Sequence, residues 1–222
     1  MRQEAHNPGD ASAAPCAGLR IGDMAPDFSA RSTTGDVRLS DYRGRWLVLF
    51  SHPADFTPVC TTEFVALARA AGDFAQRDCA LMALSVDSLF SHFAWLRMIR
   101  DRFDVEVRFP ILEDPTLVIG RGYGMVAPGD SDSGAVRSTF FDPEGVIRAM
   151  TCYPANVGRS TPEMLRMLDA LQAVDKETSL APANWQPGEA LLGQPQADLE
   201  SVFAAEGEAD WFLGKAGAGA RR

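Results

Sequence analysis

Two apolar runs dominate the hydrophobic pattern of this chain: the continuous Trp46 to Phe50 (WLVLF) and Cys79 to Val86 (CALMALSV), broken only by Ser85. Each is short and rich in strand formers, the pattern of a strand buried on both faces. Between them apolar residues recur at Phe64, Leu67, Ala68, Ala71 and Phe74, the period of an amphipathic helix. Thr57 suits that helix's N-cap and Pro58 its first position. Phe90 to Phe103 reads as a second helix, with Phe93, Leu96, Met98 and Ile99 on or near its inner side. Asp36 to Leu39 fits a short strand. Val107 to Leu112 is an apolar stretch broken by Pro110, and Thr116 to Tyr123 fits a short helix. Arg137 to Phe141, the turn Asp142-Pro143-Glu144-Gly145 and Val146 to Tyr153 form a hairpin signal. Pro162 to Val174 is the last strong helix, capped by Ser160 or Thr161, with Leu165, Leu168 and Leu171 on one face.

Strands alternating with helices, followed by one late hairpin, predict a three-layer α/β domain around a mixed sheet. Met1 to Leu19 has no periodicity and reads as a flexible tail without the apolar core of a signal peptide. The main domain then spans 20–178. From 179 to 222 Pro, Gly and Ala accumulate around Trp185, Phe203, Trp211 and Phe212. That stretch is too short for a large core, so it reads as a small C-terminal annex packed on its neighbour or on a second subunit.

The 222 residues are 46% hydrophobic and 23% charged, ordinary globular proportions. The net charge of −9 disfavours nucleic acid and anionic membranes as partners. No apolar run approaches the ~20 residues of a membrane span, and a cytoplasmic location is expected.

Chemistry rests on the four cysteines, Cys16, Cys60, Cys79 and Cys152, which form no Cys-x-x-Cys pair. Cys79 and Cys152 fall in predicted strands and read as core residues; Cys16 lies in the tail. Cys60 falls in the first turn of the helix that starts at Thr57-Pro58. There the unpaired N–H groups and the dipole favour a thiolate and can lower a thiol pKa from about 8.5 into the range ~3.5–7.5. Position alone fits a reactive thiolate or a structural cysteine. Three histidines, His6, His52 and His92, have no ligand spacing to the cysteines, so no metal and no cofactor are expected. By themselves, Glu63 and Arg159 read as surface charges, and His52 as a hydrogen-bonded structural residue.

The segment Ser51-His52-Pro53-Ala54-Asp55-Phe56-Thr57-Pro58-Val59-Cys60-Thr61-Thr62-Glu63 resembles the peroxiredoxin active-site motif Pro-x-x-x-Thr-x-x-Cys, at Pro53, Thr57 and Cys60. Asp27-Phe28, Ala83 to Asp87, Phe109 to Ile111, Tyr153-Pro154 and Gly158-Arg159 follow in the family's order. Ser-His-Pro, Tyr-Pro…Gly-Arg and Trp185 to Gly188 look like its one-cysteine, Prx6-like branch.

The resemblance implies a thioredoxin-like fold and an antioxidant thiol-dependent peroxidase acting on hydrogen peroxide and organic hydroperoxides. In that family pattern Cys60 attacks the peroxide and becomes a sulfenic acid. Thr57 holds thiolate and peroxide, Pro53 shields the site, and Arg137 stabilises the charge. Glu63 and Arg159 brace each other and Arg137, and His52 lines the pocket. No cysteine follows Cys152, so an external thiol, glutathione or a thioredoxin-like protein, is expected to regenerate Cys60. The annex resembles the one through which this branch forms homodimers, and a decameric ring of dimers is a further expectation. The lipase-like Gly-x-Ser-x-Gly of some relatives is absent at Gly44-Arg45-Trp46, so no phospholipase activity is expected. A redox sensor or relay, and a chaperone-like assembly protein, are the competing classes; peroxide turnover with dithiothreitol separates them from the enzyme.

Overall fold

The computed structural model describes residues 19–126, 135–195, 198–204 and 211–214; of 135–137, 204 and 211 it describes the backbone alone. The tail through residue 18, with Cys16, lies outside the described residues. Leu19, assigned to that tail by the sequence, packs against the core.

Alternation along the two apolar runs builds the molecule. In β3 (Trp46–Ser51) Trp46, Val48 and Phe50 face one core, while Leu47 and Leu49 face another. β4 (Cys79–Ser85) splits in the same way, Leu81 and Ala83 to one side and Met82 and Leu84 to the other. A strand covered on both faces has no solvent side, which is why its sequence shows no polar alternation.

Seven strands form one sheet. The hairpin β1 (Ser29–Ser32) and β2 (Gly35–Arg38) sits at one edge, and β5 (Ile111–Glu113), β4 and β3 form a parallel centre. β6 (Ala135–Phe141) joins β3 antiparallel and pairs with β7 (Ile147–Pro154) at the other edge. The β6–β7 turn is the expected one: Gly145 takes φ +79° and donates its N–H to the Asp142 carbonyl at 2.8 Å. β1 was not foreseen, because its Ser-Ala-Arg-Ser sequence carries no apolar period.

Helices α1 (Pro58–Arg69), α2 (Ala71–Gln76), α3 (Leu89–Phe103) and α5 (Thr161–Glu177) contribute to the larger core, and α4 (Val118–Gly122) to the smaller. The single helix expected across 58–74 is broken at Ala70, ahead of the weak helix former Gly72, yet Phe74 stays fully buried. α3 corrects the sequence more sharply. Its buried face is Leu89, His92, Trp95 and Ile99, and Phe93 points out, 47% exposed. The apolar count went astray because the stripe contains a histidine. Ser160 caps α5, its hydroxyl accepting from the Glu163 N–H.

Beyond α5 the chain returns to that helix. Trp185 and Leu191 bury against Ala170, with Ala173 and Val174 beside them, and Leu180 bridges Leu192. α6 (Leu199–Ala204) leaves Leu199 and Phe203 exposed. The side chain of Trp211 lies outside the described residues. Among the described residues no helix is long and apolar enough to cross a membrane.

Candidate active site

β3 ends at Ser51, and the chain turns through Pro53-Ala54-Asp55-Phe56 into α1, whose N-cap is Thr57 in extended geometry with Pro58 next. Cys60 is therefore the third helical residue, as the sequence predicts, and is 2% exposed. The Thr57 hydroxyl does not cap the helix. It donates to the Ala54 carbonyl at 2.9 Å and reaches the Cys60 thiol, which also meets the Ala54 backbone.

Burial pushes the Cys60 thiol above its ordinary pKa. The hydrogen bonds from Thr57 and Ala54 and the charge of Arg159 work against that, while the carboxylate of Glu63 works with it. The depressed pKa expected from the helix start is thus not reached by the described groups. A thiolate here needs a closer cation. The sequence candidate, Arg137, sits in β6, next to β3 in the sheet, and pairs with Cys152; its side chain lies outside the described residues.

Glu63 and Arg159 are not surface charges. Their side chains are 3% and 2% exposed and form a two-pronged ion pair, Nε to Oε1 at 2.8 Å and Nη2 to Oε2 at 2.7 Å. The Arg159 backbone N–H adds a third bond to Glu63 at 2.7 Å. Nη1 then donates to the Ser51 carbonyl at 3.0 Å and the Ser138 hydroxyl at 3.3 Å. The guanidinium also lies 4.9 Å from the Phe50 ring centroid. One arginine thereby ties α1, one turn past Cys60, to the end of β3 and to the residue after Arg137.

His52 is fully buried, its ring 4.8 Å from Phe64 and 5.2 Å from Trp95. Its Nε2 lies 2.9 Å from Asp55 Oδ1, and His92 Nδ1 lies 2.7 Å from Asp55 Oδ2. Asp55 and His92 were not among the sequence's site residues, although a histidine inside an apolar helical stripe, between Leu89 and Trp95, was a usable signal. One ligand atom from each of the three lies within 4.8 Å of the others. Because each imidazole takes a different oxygen at hydrogen-bond length, the cluster is a hydrogen-bonded network rather than a converging ligand set. His52 also lines a small cavity with Ser51, Ser85, Asp114 and Met125, formed from strand ends and the α4 region rather than from α1.

Burial alone would raise Asp55, but the bonds from both histidines outweigh it and bring its pKa down to about 2. Burial lowers the pKa of His52, opposed by Asp55, so the folded protein holds it neutral. The unfolded chain takes up that proton near pH 6.5 and the folded one only lower. This stabilisation is therefore complete above the unfolded pKa and is lost as pH falls below it, by up to about 1.4 kcal/mol per pH unit. Urea unfolding midpoints between pH 7.5 and 5.5 should fall accordingly, and less steeply in His52→Gln. Equal slopes in parent and variant would assign the effect elsewhere.

Cys79 is buried as expected, its thiol pushed up to about 12 by burial and by Asp78. Cys152 is not a core residue: it is exposed on the edge strand β7, whose last four residues run beyond the core.

Residues 21–150 match the AhpC/TSA family, and residues 170–206 match the C-terminal domain of 1-Cys peroxiredoxin. Peroxiredoxin 2 of Caldanaerobacter subterraneus subsp. tengcongensis is 49% identical over 201 residues, 87% of this chain and 91% of the relative. The chain belongs to the peroxiredoxin family. The peroxiredoxin of Methanosarcina mazei is 42% identical, over 87% of this chain and 95% of its own. Among solved structures, the yeast mitochondrial 1-Cys peroxiredoxin superposes with a TM-score of 0.76 at 39% identity, covering 86% of this chain and 93% of its own. Peroxiredoxin 6 of Arenicola marina gives 0.75 at 33%, covering 84% and 89%. The mixed sheet flanked by helices is thus the thioredoxin-like fold of these relatives, and this peroxiredoxin is a thiol-dependent peroxidase, as the sequence resemblance implied.

Proposed function

We propose that Cys60 is the reacting thiol of this peroxiredoxin and works without a resolving cysteine in its own chain. The observation that carries this is its placement: a buried sulfur in the first turn of α1, held by Thr57 and Ala54 and one turn from the Glu63–Arg159 pair.

In the reaction, the Cys60 thiolate attacks one peroxide oxygen, the O–O bond breaks, and the other oxygen leaves as water or an alcohol after taking a proton. Sulfur becomes a sulfenic acid. A first external thiol displaces water from it to form a mixed disulfide. A second thiol frees Cys60 and leaves as the oxidised reductant. Thr57 orients thiolate and peroxide, and Pro53, half-buried on the same loop, limits water. Arg137 supplies the positive charge for the leaving oxygen, Glu63 and Arg159 hold that region together, and His52 borders it.

The yeast relative is described as resolved through glutathione and thioredoxin systems. Glutathione or a thioredoxin-like protein is accordingly the proposed reductant here. The three described cysteines are all free thiols, in keeping with a reducing, cytoplasmic setting. We assign 20–178 to the peroxidase domain and 179–222 to a dimerisation annex, whose exposed Leu199, Phe203, Phe212 and Leu213 suit a subunit contact. A homodimer is the minimal unit, and a decamer is its ring form.

Mass spectrometry of peroxide-treated protein tests the assignment. Sulfenic or sulfinic acid should appear on Cys60 with no disulfide to it, and a Cys60 disulfide with Cys152 or Cys16 would reject the one-cysteine mechanism.

A further inference from the structure

The loop between β3 and α1 is strained. Phe56 holds φ +58°, a left-handed conformation that disfavours residues with a β-carbon. The residue is 55% exposed, so packing of its side chain does little to offset the strain. A strained backbone persists only where its surroundings over-determine it, and here they converge on the preceding residue.

Asp55 is held at three points. Its N–H donates to Asp87 Oδ2 at 2.6 Å, Oδ1 accepts from His52, and Oδ2 accepts from His92. An ionised carboxylate only accepts, so both imidazoles must donate to it. The proton facing Asp55 therefore sits on Nε2 of His52 and on Nδ1 of His92. Their remaining nitrogens, His52 Nδ1 and His92 Nε2, are buried without a hydrogen-bond partner. Two buried ring nitrogens without partners and a histidine on an apolar helix face all cost stability. An apolar residue at position 92 would avoid the part of that cost that falls on His92.

What the arrangement secures is the loop. Ala54, next to Asp55, takes the Thr57 hydroxyl on its carbonyl and meets the Cys60 thiol through its backbone. α3 also grips the far side of the sulfur's turn: Trp95 Nε1 donates to Thr61 Oγ1 at 3.2 Å, and Thr61 Oγ1 donates to the Thr57 carbonyl at 2.7 Å.

We propose that His92 is a positioning residue of the peroxidase site: through Asp55 it sets the tautomer of His52 and holds the strained loop so that Ala54 and Thr57 stay against Cys60. This rests on Cys60 being the reacting thiol.

The test compares parent, His92→Leu and His92→Asn in single-turnover stopped-flow oxidation by hydrogen peroxide, with the oxidised residue located by mass spectrometry. An asparagine amide N–H can replace Nδ1–H; leucine cannot. His92→Leu should slow Cys60 oxidation about 10- to 100-fold, the scale of a misplaced reacting group, and His92→Asn should recover most of it. A His92→Leu rate within about twofold of the parent, or the same loss in both variants, overturns the role of His92. Should His92→Leu fail to fold, imidazole nitrogen NMR of the parent decides: Nε2–H on His52 and Nδ1–H on His92 support the proposal, and the reverse tautomer on either overturns it. Peroxide oxidising another cysteine in the parent would instead overturn the assignment of Cys60.

Discussion

Replacing Cys60 with serine is expected to remove peroxide turnover by on the order of 10³-fold or more, the scale of losing a reacting nucleophile. A serine hydroxyl is not ionised at neutral pH and cannot cycle through a sulfenic acid. It is close to the thiol in size and can still hydrogen-bond with Thr57 and the Ala54 backbone, so the fold should survive. The other described cysteines give the contrast. Burial holds the Cys79 thiol at a pKa of about 12, too high to supply thiolate, and Cys152 lies exposed at the sheet edge. Cys79→Ser and Cys152→Ser should keep turnover within about twofold in a dithiothreitol-driven peroxide consumption assay. Turnover in Cys60→Ser above a tenth of the parent would mean that a different thiol carries the reaction.

The second large effect is on stability and rate together. Arg159→Met leaves the Glu63 carboxylate, 3% exposed, with no ion-pair partner among the described residues. Breaking such a buried pair from one side costs about 3–5 kcal/mol. The same change removes the charge that lowers the Cys60 pKa and leaves the one that raises it, so turnover at neutral pH should fall as well. Arg159→Lys should rescue neither fully, because an ammonium cannot reach both Glu63 oxygens, Ser51 and Ser138 from one planar fork. Glu63→Leu combined with Arg159→Met should unfold at higher urea than Arg159→Met alone, since no unpaired charge remains, and still react slowly. A stability loss below about 1 kcal/mol in Arg159→Met would show that the pair is not needed to hold α1 on the sheet.

These two predictions differ in how far the chain alone supports them. Cys60 was legible because everything that marks it is local: a buried strand, a loop, and Thr57-Pro58 at a helix start. The resemblance at Pro53, Thr57 and Cys60 lies in the same short segment. Cys152 was misjudged because an apolar-looking strand does not announce that its last residues pass the edge of the core. Phe93 was misjudged because helical periodicity counts apolar residues and His92 interrupted the stripe.

By itself the sequence determined the central strands, the helix start that holds Cys60 and the membership of the family, since strand burial and helix capping depend on near neighbours along the chain. The tertiary structure alone decided that Asp55 partners His92, and no local pattern carries the Glu63–Arg159 pairing, which only the family resemblance implied. Glu63 meets Arg159 across 96 residues and Asp55 meets His92 across 37, separations over which no residue period carries information. A buried charge needs a partner in space, and that partner is chosen by how the sheet and helices stack. Cys60 shows both sides: its position in the first turn was written locally, and the burial that raises its pKa was not.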